Sequence, residues 1–220
     1  MVGVHLFLLR HGETTWNQEK RWQGQADVPL SEAGIEQARS LALQLRKEGN
    51  PIAAVHSSPL SRALHTAGII ADALGLRPFS DPFWCEMNIG VWSGLTTEEV
   101  IARHTKDWER IRAGEDLPRG GGETMAQFHK RVVRGAELLA EKHTGERVAV
   151  VTHGGPIRAL LLHCRGLPPN RYREVEKIGN ASLTEVVFQK GKAIIHRVND
   201  MAHLETMTMT ASSVSSPGIT

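Results

Sequence analysis

The sequence predicts an α/β fold built on parallel strands. Two runs, at residues 6–9 and 148–151, are apolar on both faces, which is typical of strands buried inside a parallel sheet. Each run is soon followed by a histidine and a glycine, at His11 and His153. Ligands of open α/β sheets bind just beyond the carboxyl ends of the strands. We therefore expect the two histidines to meet over one substrate.

Length and composition indicate one soluble domain. The chain has 220 residues and a formal net charge of +2, which gives no reason to expect a nucleic acid or a membrane as a partner. Two cysteines are too few for a disulfide framework, and no signal or membrane-spanning run is evident, so we expect a cytoplasmic protein. No second core is evident. We predict one domain over residues 1–204 and a disordered tail over residues 205–220.

The first strand leads into a polar loop and then a helix. The loop covers residues 12–30 and contains Asn17, Gln23 and Gly24, which are close in sequence to the strand tip. Ser31 is a suitable N-cap for the helix that follows, because apolar residues then recur at helical spacing.

A second strand–turn–helix unit contains Arg62. The predicted strand at residues 52–56 is followed by a helix whose inner face carries residues 60, 64, 67, 71 and 74. Arg62 therefore lies near a helix N-terminus, where free N–H groups and the helix dipole favour an anion. The alternative is a solvated surface arginine. The likeness of this unit to the one around His11 favours the anion site.

Glu86 is the candidate acid. Its sequence neighbours are apolar, a setting that disfavours the charged form and raises the pKa of a carboxyl group. A carboxylic acid that stays partly protonated near neutral pH can act as a general acid. An exposed loop glutamate is an equally good interpretation of the same sequence.

Two capping boxes predict helices in the middle of the chain. They lie at residues 96–99 and 124–127, and their helices are expected to run to about residues 112 and 143. The segment between the helices, residues 114–122, is rich in glycine and charge and is predicted to be a mobile loop.

The last third of the chain adds another helix and a hairpin. After the second buried strand, Pro156 suits the first turn of a helix. Strands near residues 182–188 and 193–198 are joined by a short turn at residues 190–192, which predicts an edge hairpin. His203 follows the hairpin.

Several classes of reaction have no support in the sequence. It contains no G-x-x-x-x-G-K-[ST] phosphate loop, no H-E-x-x-H or cysteine–histidine cluster for zinc, and no G-x-S-x-G elbow. Cys164 is followed directly by Arg165, which does not suit a cysteine phosphatase. We therefore expect neither a metal nor a cofactor.

The remaining constellation suits phosphoryl transfer without a metal. A neutral imidazole of His11 can attack phosphorus, while Arg10, Arg62 and His153 neutralise the charge on the equatorial oxygens. Glu86 would protonate the leaving alkoxide and then activate water. Further hydrogen bonds to the phosphate are expected from the following residues: Asn17, Gln23, Gly24 and Gly154.

These residues together resemble a known family. The motifs are Arg10-His11-Gly12-Glu13-Thr14 with Asn17, residues 57–63 around Arg62, Glu86, and Thr152-His153-Gly154, and they are similar to those of the histidine phosphatase superfamily, in the branch that includes cofactor-dependent phosphoglycerate mutase. The resemblance covers roughly residues 2–204. It implies a phosphoglycerate mutase-like fold, a three-layer α/β/α sandwich with a mostly parallel sheet. It also implies a phosphohistidine at His11, a phosphate pocket of Arg10, Asn17, Arg62 and His153, and Glu86 as the proton donor.

The acid segment departs from the mutase pattern. Mutases of the family have Glu-Arg-His-Tyr at the acid position and further basic residues for a second anionic group, whereas this chain has Glu86-Met87-Asn88-Ile89. We therefore favour hydrolysis of a small-molecule phosphomonoester by a monomer or homodimer. The mutase is the alternative, and a non-catalytic phospho-ligand binder is a third hypothesis.

The sequence does not decide the substrate. The candidates are phosphoserine-like compounds, sugar phosphates and α-ribazole phosphate, or the enzyme has broad specificity. Residues 122–123 and 199–204 resemble features of broad-specificity and metal-independent phosphoserine phosphatases. In the latter, a late histidine helps to hold the substrate carboxylate, and His203 is the position that suits this role. A surface histidine after the last strand is an equally good interpretation.

Overall fold

A six-stranded sheet forms the middle of the molecule. The structure is a computed structural model that describes residues 3–49, 51–189 and 192–205. The sheet has the order β3-β2-β4-β1-β5-β6. The strands are β1 Val4–Arg10, β2 Ala54–Ser57, β3 Pro78–Ser80, β4 Arg147–Thr152, β5 Leu183–Gln189 and β6 Lys192–Asp200. Strands β1 to β4 pair in parallel, and β5 and β6 are antiparallel additions, so the predicted mostly parallel sheet is confirmed.

Seven helices are described. They are α1 Thr15–Gln18, α2 Glu32–Lys47, α3 Ser61–Leu74, α4 Thr97–Arg103, α5 Thr105–Arg112, α6 Met125–Lys142 and α7 Gly154–Cys164. Short 3₁₀ turns occupy Pro82–Trp84, Gly90–Trp92, Arg119–Gly121 and Pro169–Glu174. None of the helices in this part of the chain is long and apolar enough to cross a membrane.

Helices cover both faces of the sheet. On one face, Phe7 and Leu9 of β1 pack with the apolar sides of α2 and α3. On the other face, Leu6 and Leu8 pack with α6 and α7. Because successive strand residues point to opposite faces, the unbroken apolar run of β1 serves two cores at once. The predicted α/β/α sandwich is confirmed.

The predicted caps are present. The Ser31 hydroxyl accepts from the Gly34 N–H at 3.1 Å, and both capping boxes form, at Thr96 and Thr124. The helix predicted to run from the first box to residue 112 is instead two helices, α4 and α5, which meet at His104. This differs from the sequence prediction because no proline or glycine marks the break. The His104 ring lies 6.0 Å from the Trp92 ring, a contact that the sequence pattern does not show.

One further expectation differs from the structure. Leu64, predicted on the inner face of α3, is 38% exposed, because the buried face of α3 runs through Ala63 and Ala67 instead. The mobility of residues 114–122 stays a prediction, although a Cβ on Gly120 or Gly122 would collide with a carbonyl oxygen of the 88–90 segment.

The predicted hairpin is formed by β5 and β6. Residues 190–191 of its turn, and residues 206–220 of the tail predicted to be disordered, lie outside the described residues. The domain boundary at residue 204 stays a prediction.

Candidate active site

The two histidines follow neighbouring strands. Arg10 at the end of β1 is in register with Thr152 at the end of β4, and the His11 N–H donates to the Thr152 carbonyl at 2.9 Å. The rings of His11 and His153 are 5.0 Å apart between centroids and inclined by 62°. The predicted meeting of the two histidines is therefore present in the structure.

The environment of His11 favours a neutral ring with a free Nε2. Its Nδ1 is 2.6 Å from the Gly12 carbonyl oxygen, which can only accept, so Nδ1 carries the proton and Nε2 the lone pair. Burial, and then the charges of Arg10 and Arg62, lower the pKa of His11 well below its usual value. The lone pair is therefore available for attack at neutral pH.

His153 lies behind His11 and is fully buried. Its Nε2 is 2.8 Å from the Ser58 hydroxyl, which fixes the plane of the ring. Burial and the charges of Arg62, His11 and Arg10 lower its pKa well below the usual value. Gly154 begins α7, and a Cβ there would lie 3.6 Å from Arg10 Nε. His153 and Gly154 therefore form the back of the site.

Two buried guanidinium groups supply the positive charge. Arg62, in the first turn of α3, is 1% exposed and donates to the carbonyl oxygens of Gly24 and Ala26, both at 2.7 Å. Burial lowers the pKa of Arg62 to about 10, which still leaves it charged at neutral pH. Arg10 donates to the Ile178 carbonyl. Neither arginine forms an ion pair within the described residues, so their charge is left for a bound anion.

The setting of Glu86 is polar, not apolar as the sequence suggested. One carboxylate oxygen accepts from the Met87 N–H at 2.8 Å, and the other accepts from the Gly155 N–H at 3.1 Å. The charges of Arg10 and Arg62 act on it as well. The second donor belongs to the first turn of α7, so Glu86 is tied to the helix that begins after His153.

The loop after β1 brings the predicted polar groups to the site. Asn17 Oδ1 accepts from the Thr14 N–H and from Asn180 Nδ2, each at 3.1 Å, which leaves its own amide N–H groups to donate. Gln23 is 8% exposed, and its Oε1 has no partner among the described residues. Gly24 has φ 52°, a conformation that favours glycine, and its carbonyl orients Arg62.

These residues share one cavity of about 790 Å³. Its lining includes seven of the ten predicted site residues: Arg10, His11, Asn17, Gln23, Gly24, Arg62 and Glu86. His153 and Gly154 are not among the lining residues. No group of three or more His, Cys, Asp or Glu side chains suited to a metal ion is found in the part of the chain that the structure describes.

His203 is not among the residues that line the cavity, and its expected contact with the substrate stays a prediction. After β6 the chain turns to the face that carries α2, where the Ser40 hydroxyl donates to the His203 carbonyl at 2.8 Å and Leu204 packs in the core under α2 and α3. The sequence position alone does not show this direction.

Comparison with known proteins identifies the family. The family model described as "Histidine phosphatase superfamily (branch 1)" matches residues 6–201. The chain belongs to the histidine phosphatase superfamily.

Relatives of this histidine phosphatase include phosphatases and a mutase-like protein. The chain is 39% identical over 207 residues to phosphoglycerate mutase-like protein 4 of Arabidopsis thaliana, covering 92% of this chain and 87% of the relative. It is 36% identical over 208 residues to the metal-independent phosphoserine phosphatase of the same plant, covering 93% and 84%. Together these relationships make the protein a phosphoric monoester hydrolase.

A solved structure supports the same assignment. This histidine phosphatase superposes with a TM-score of 0.81 on a mutant phosphoserine phosphatase from Entamoeba histolytica in complex with phosphoserine. The two are 28% identical, and the match covers 91% of this chain and 99% of the other.

Sequence reasoning missed many of the residues that line the cavity of this histidine phosphatase. They are further basic and aromatic residues: Arg21, Trp22, Trp92, Trp108, Arg119, Arg158, Tyr172 and Arg173. They come from six separate stretches of the chain and share no motif, so only the fold brings them together. The start of α4 is attached to this wall by an ion pair: Glu99, in the capping box of Thr96, lies 3.1 Å from Arg21.

An ion pair behind Glu86 was also missed. Arg131 of α6 donates twice to the Glu123 carboxylate, from Nε and from one terminal nitrogen, both at 2.8 Å. Its other terminal nitrogen donates to the carbonyls of Phe83 and Cys85, both at 3.0 Å. Glu123 in turn accepts from the Asn88 N–H at 2.8 Å. The pair is therefore hydrogen-bonded to the backbone on both sides of Glu86.

Proposed function

We propose that this histidine phosphatase hydrolyses small phosphomonoesters through a phosphohistidine at His11, without a metal. The observation that carries the proposal is the neutral, buried His11, whose free Nε2 shares a cavity with the guanidinium groups of Arg10 and Arg62. A nucleophile beside unpaired positive charge suits attack on a phosphate dianion.

The first half of the reaction transfers the phosphoryl group to His11. Nε2 forms the bond to phosphorus while the bond to the leaving oxygen breaks. Arg10 and Arg62 stabilise the charge that spreads over the equatorial oxygens, and the Asn17 amide donates further hydrogen bonds. His153, bonded to Ser58, packs against the His11 ring and helps to orient it. Glu86, once protonated, gives its proton to the leaving alkoxide.

The second half returns the enzyme to its starting state. Glu86, now a carboxylate, takes a proton from water, and the water oxygen attacks phosphorus as the bond to Nε2 breaks. Inorganic phosphate is released and Glu86 is protonated again. The backbone N–H groups of Met87 and Gly155 hold the carboxylate in place through both steps.

The substrate is proposed from the relatives and stays open among several compounds. Phosphoserine is favoured by the plant and amoebal relatives, while sugar phosphates and α-ribazole phosphate belong to the same chemical class. The mutase-like relative keeps cofactor-dependent isomerisation of phosphoglycerate as the second candidate. A cytoplasmic location and a monomeric or homodimeric state stay predictions.

The test is phosphate release from a panel of phosphomonoesters in EDTA. The panel contains phosphoserine, 3-phosphoglycerate, α-ribazole phosphate, sugar phosphates and p-nitrophenyl phosphate. We expect release by the wild type, no release by His11→Ala, and full activity of His65→Ala, whose ring is exposed on α3. After denaturation during turnover of a ³²P-labelled substrate, an acid-labile phosphoryl group should be found on the wild-type protein and not on His11→Ala.

Other outcomes would support other functions. Isomerisation of 3-phosphoglycerate in the presence of 2,3-bisphosphoglycerate, with no phosphate release, would identify a mutase. Binding of esters with neither reaction would identify a phospho-ligand binder. Unchanged release by His11→Ala would refute the proposed nucleophile.

A further inference from the structure

The cavity extends well beyond the phosphate site. Its volume of about 790 Å³ lies in the range of pockets that hold drug-sized ligands. The phosphate site, with His11, Arg10 and Arg62, accounts for only part of the lining. The rest of the volume is therefore available to the leaving group.

An apolar wall adjoins the phosphate site. Met87 and Ile89 directly follow the acid segment and line the cavity, together with Met125 and Phe128 from the first turn of α6. All four are less than a tenth exposed, so their packing is fixed. This part of the lining therefore offers fixed apolar contacts to the leaving group.

Two partly exposed tryptophans, Trp22 and Trp108, form the next part of the wall, and the fully buried Trp92 packs against both. The rings of Trp22, Trp92 and Trp108 lie 5.8–6.4 Å apart between centroids. The Trp22 Nε1 donates to the Thr97 hydroxyl at 3.0 Å, which fixes that ring against α4. A cluster of rigid aromatic rings that lines a cavity suits a planar, apolar ligand.

Unpaired positive charge lies in the outer lining. Arg119 and Arg173 line the cavity, and neither forms an ion pair within the described part of the chain. Burial lowers the pKa of Arg119, the charge of Asp116 raises it in part, and the charge of Arg173 lowers it further.

The acidic residues near Arg119 form hydrogen bonds or ion pairs with other groups. Asp116 accepts from the N–H groups of Met125 and Ala126, and Glu115 pairs with Arg110 at 2.6 Å. The charge of Asp116 still acts on Arg119, but neither guanidinium group forms an ion pair with a carboxylate in the described residues, so both can pair with a bound anion.

We propose that the substrate of this enzyme is a phosphomonoester whose leaving group is a planar, apolar ring system carrying a second anionic group, carboxylate or phosphate, at its outer end. The proposal rests on the proposed phosphatase function of the same site. The ring system contacts the tryptophan wall, and the outer anion pairs with Arg119 and Arg173.

The test is calorimetric titration of the His11→Ala protein, which binds esters without consuming them. The probes are ethyl phosphate, 2-naphthyl phosphate, 6-carboxy-2-naphthyl phosphate and naphthalene-2,6-diyl bisphosphate. We expect 2-naphthyl phosphate to bind at least tenfold more tightly than ethyl phosphate. The outer anion should add at least fivefold at low salt, and the last two probes separate carboxylate from phosphate.

Cavity variants then locate the contacts, each in the same His11→Ala background. Trp108→Ala should weaken 2-naphthyl phosphate at least fivefold, with Glu109→Ala on the same helix as its control. The double variant Arg119→Met/Arg173→Met should remove the gain from the outer anion. Arg112→Met, which deletes an exposed charge outside the cavity lining, should keep it.

The outcomes separate this proposal from the proposed function. Equal affinity for ethyl and 2-naphthyl phosphate, or no measurable binding of either, would refute the proposal that the leaving group is a ring system. If the double variant and Arg112→Met change the affinity gained from the outer anion equally, the proposed binding of that anion by Arg119 and Arg173 would be refuted. Phosphate release by the wild type is measured in parallel. If the wild type releases phosphate but binds ring-containing esters no more tightly than ethyl phosphate, the phosphatase function stands and this proposal fails. If ring-containing esters bind more tightly but the wild type releases no phosphate, the phosphatase function fails.

Discussion

Replacing Arg131 by Met should both destabilise the protein and impair the acid. The change removes two charge-assisted hydrogen bonds to Glu123 and leaves the carbonyls of Phe83 and Cys85 without their donor. Hydrogen bonds to charged groups contribute about 1.5–3 kcal/mol each, but both side chains are 20% exposed, so water recovers part of the loss. We expect the free energy of unfolding to fall by about 2–4 kcal/mol.

The catalytic consequence follows from where the pair acts. Because Arg131 holds the backbone next to Glu86, its loss should displace the acid more than the nucleophile. The kcat for an alkyl phosphate, which needs a proton on its leaving group, should fall at least tenfold more than the kcat for p-nitrophenyl phosphate. Glu86→Gln should give the same pattern.

Denaturant unfolding and steady-state kinetics check this prediction. Arg134→Met is the matched control, since Arg134 lies on the same helix and pairs at 3.2 Å with Glu137 in an exposed position; its effect should stay within about 0.5 kcal/mol. A double-mutant cycle with Glu123→Gln should show a coupling of at least about 1 kcal/mol. A loss below about 1 kcal/mol, with unchanged dependence on the leaving group, would refute the reasoning.

Three further predictions concern glycines and pH. Gly34→Ala should destabilise by about 1–3 kcal/mol, because the new methyl group collides with backbone, whereas Gly68→Ala, also helical but with open space, should stabilise by about 0.5–1 kcal/mol; thermal unfolding checks both. Gly155→Ala should push the Glu86 carboxylate aside and slow alkyl phosphates selectively in steady-state assays, which an unchanged kcat would contradict. Burial lowers the pKa of His56 to about 4, so the unfolded chain takes up a proton first as the pH falls below about 6.5. His56 alone should therefore lower the free energy of unfolding by about 1 kcal/mol between pH 7.5 and pH 5.5, and His56→Asn should reduce the total loss by that amount, while the buried His11 and His153 keep their own contributions.

Local signals were sufficient for the inner half of the site. His11, His153 and Arg62 each follow a strand or begin a helix, and the parallel pairing of β1 with β4 then places both histidines together. Glu86 was found, but its setting was not, because its second donor, Gly155, is 69 positions further along the chain. Such a contact leaves no trace in the residues around the acid.

Tertiary direction explains the remaining differences. The expected contact of His203 with the substrate stays a prediction, but the hydrogen bond from Ser40 of α2 to the His203 carbonyl could not be predicted from the order of the chain. Arg119 and Arg173 lie in polar stretches that the sequence cannot distinguish from solvated surface. The break at His104 has no proline or glycine, so only packing against Trp92 reveals it.

The order of the strands has a consequence for synthesis of the chain. The first strand made, β1, has no neighbour in the sheet until residues 147–152 arrive, and its other neighbour, β5, comes later still. An apolar strand therefore emerges from the ribosome more than 130 residues before anything can cover its edges, and pairings of such long range are slow to form and exposed to aggregation. The nascent chain should thus depend on chaperones and stay catalytically silent until β4 is complete.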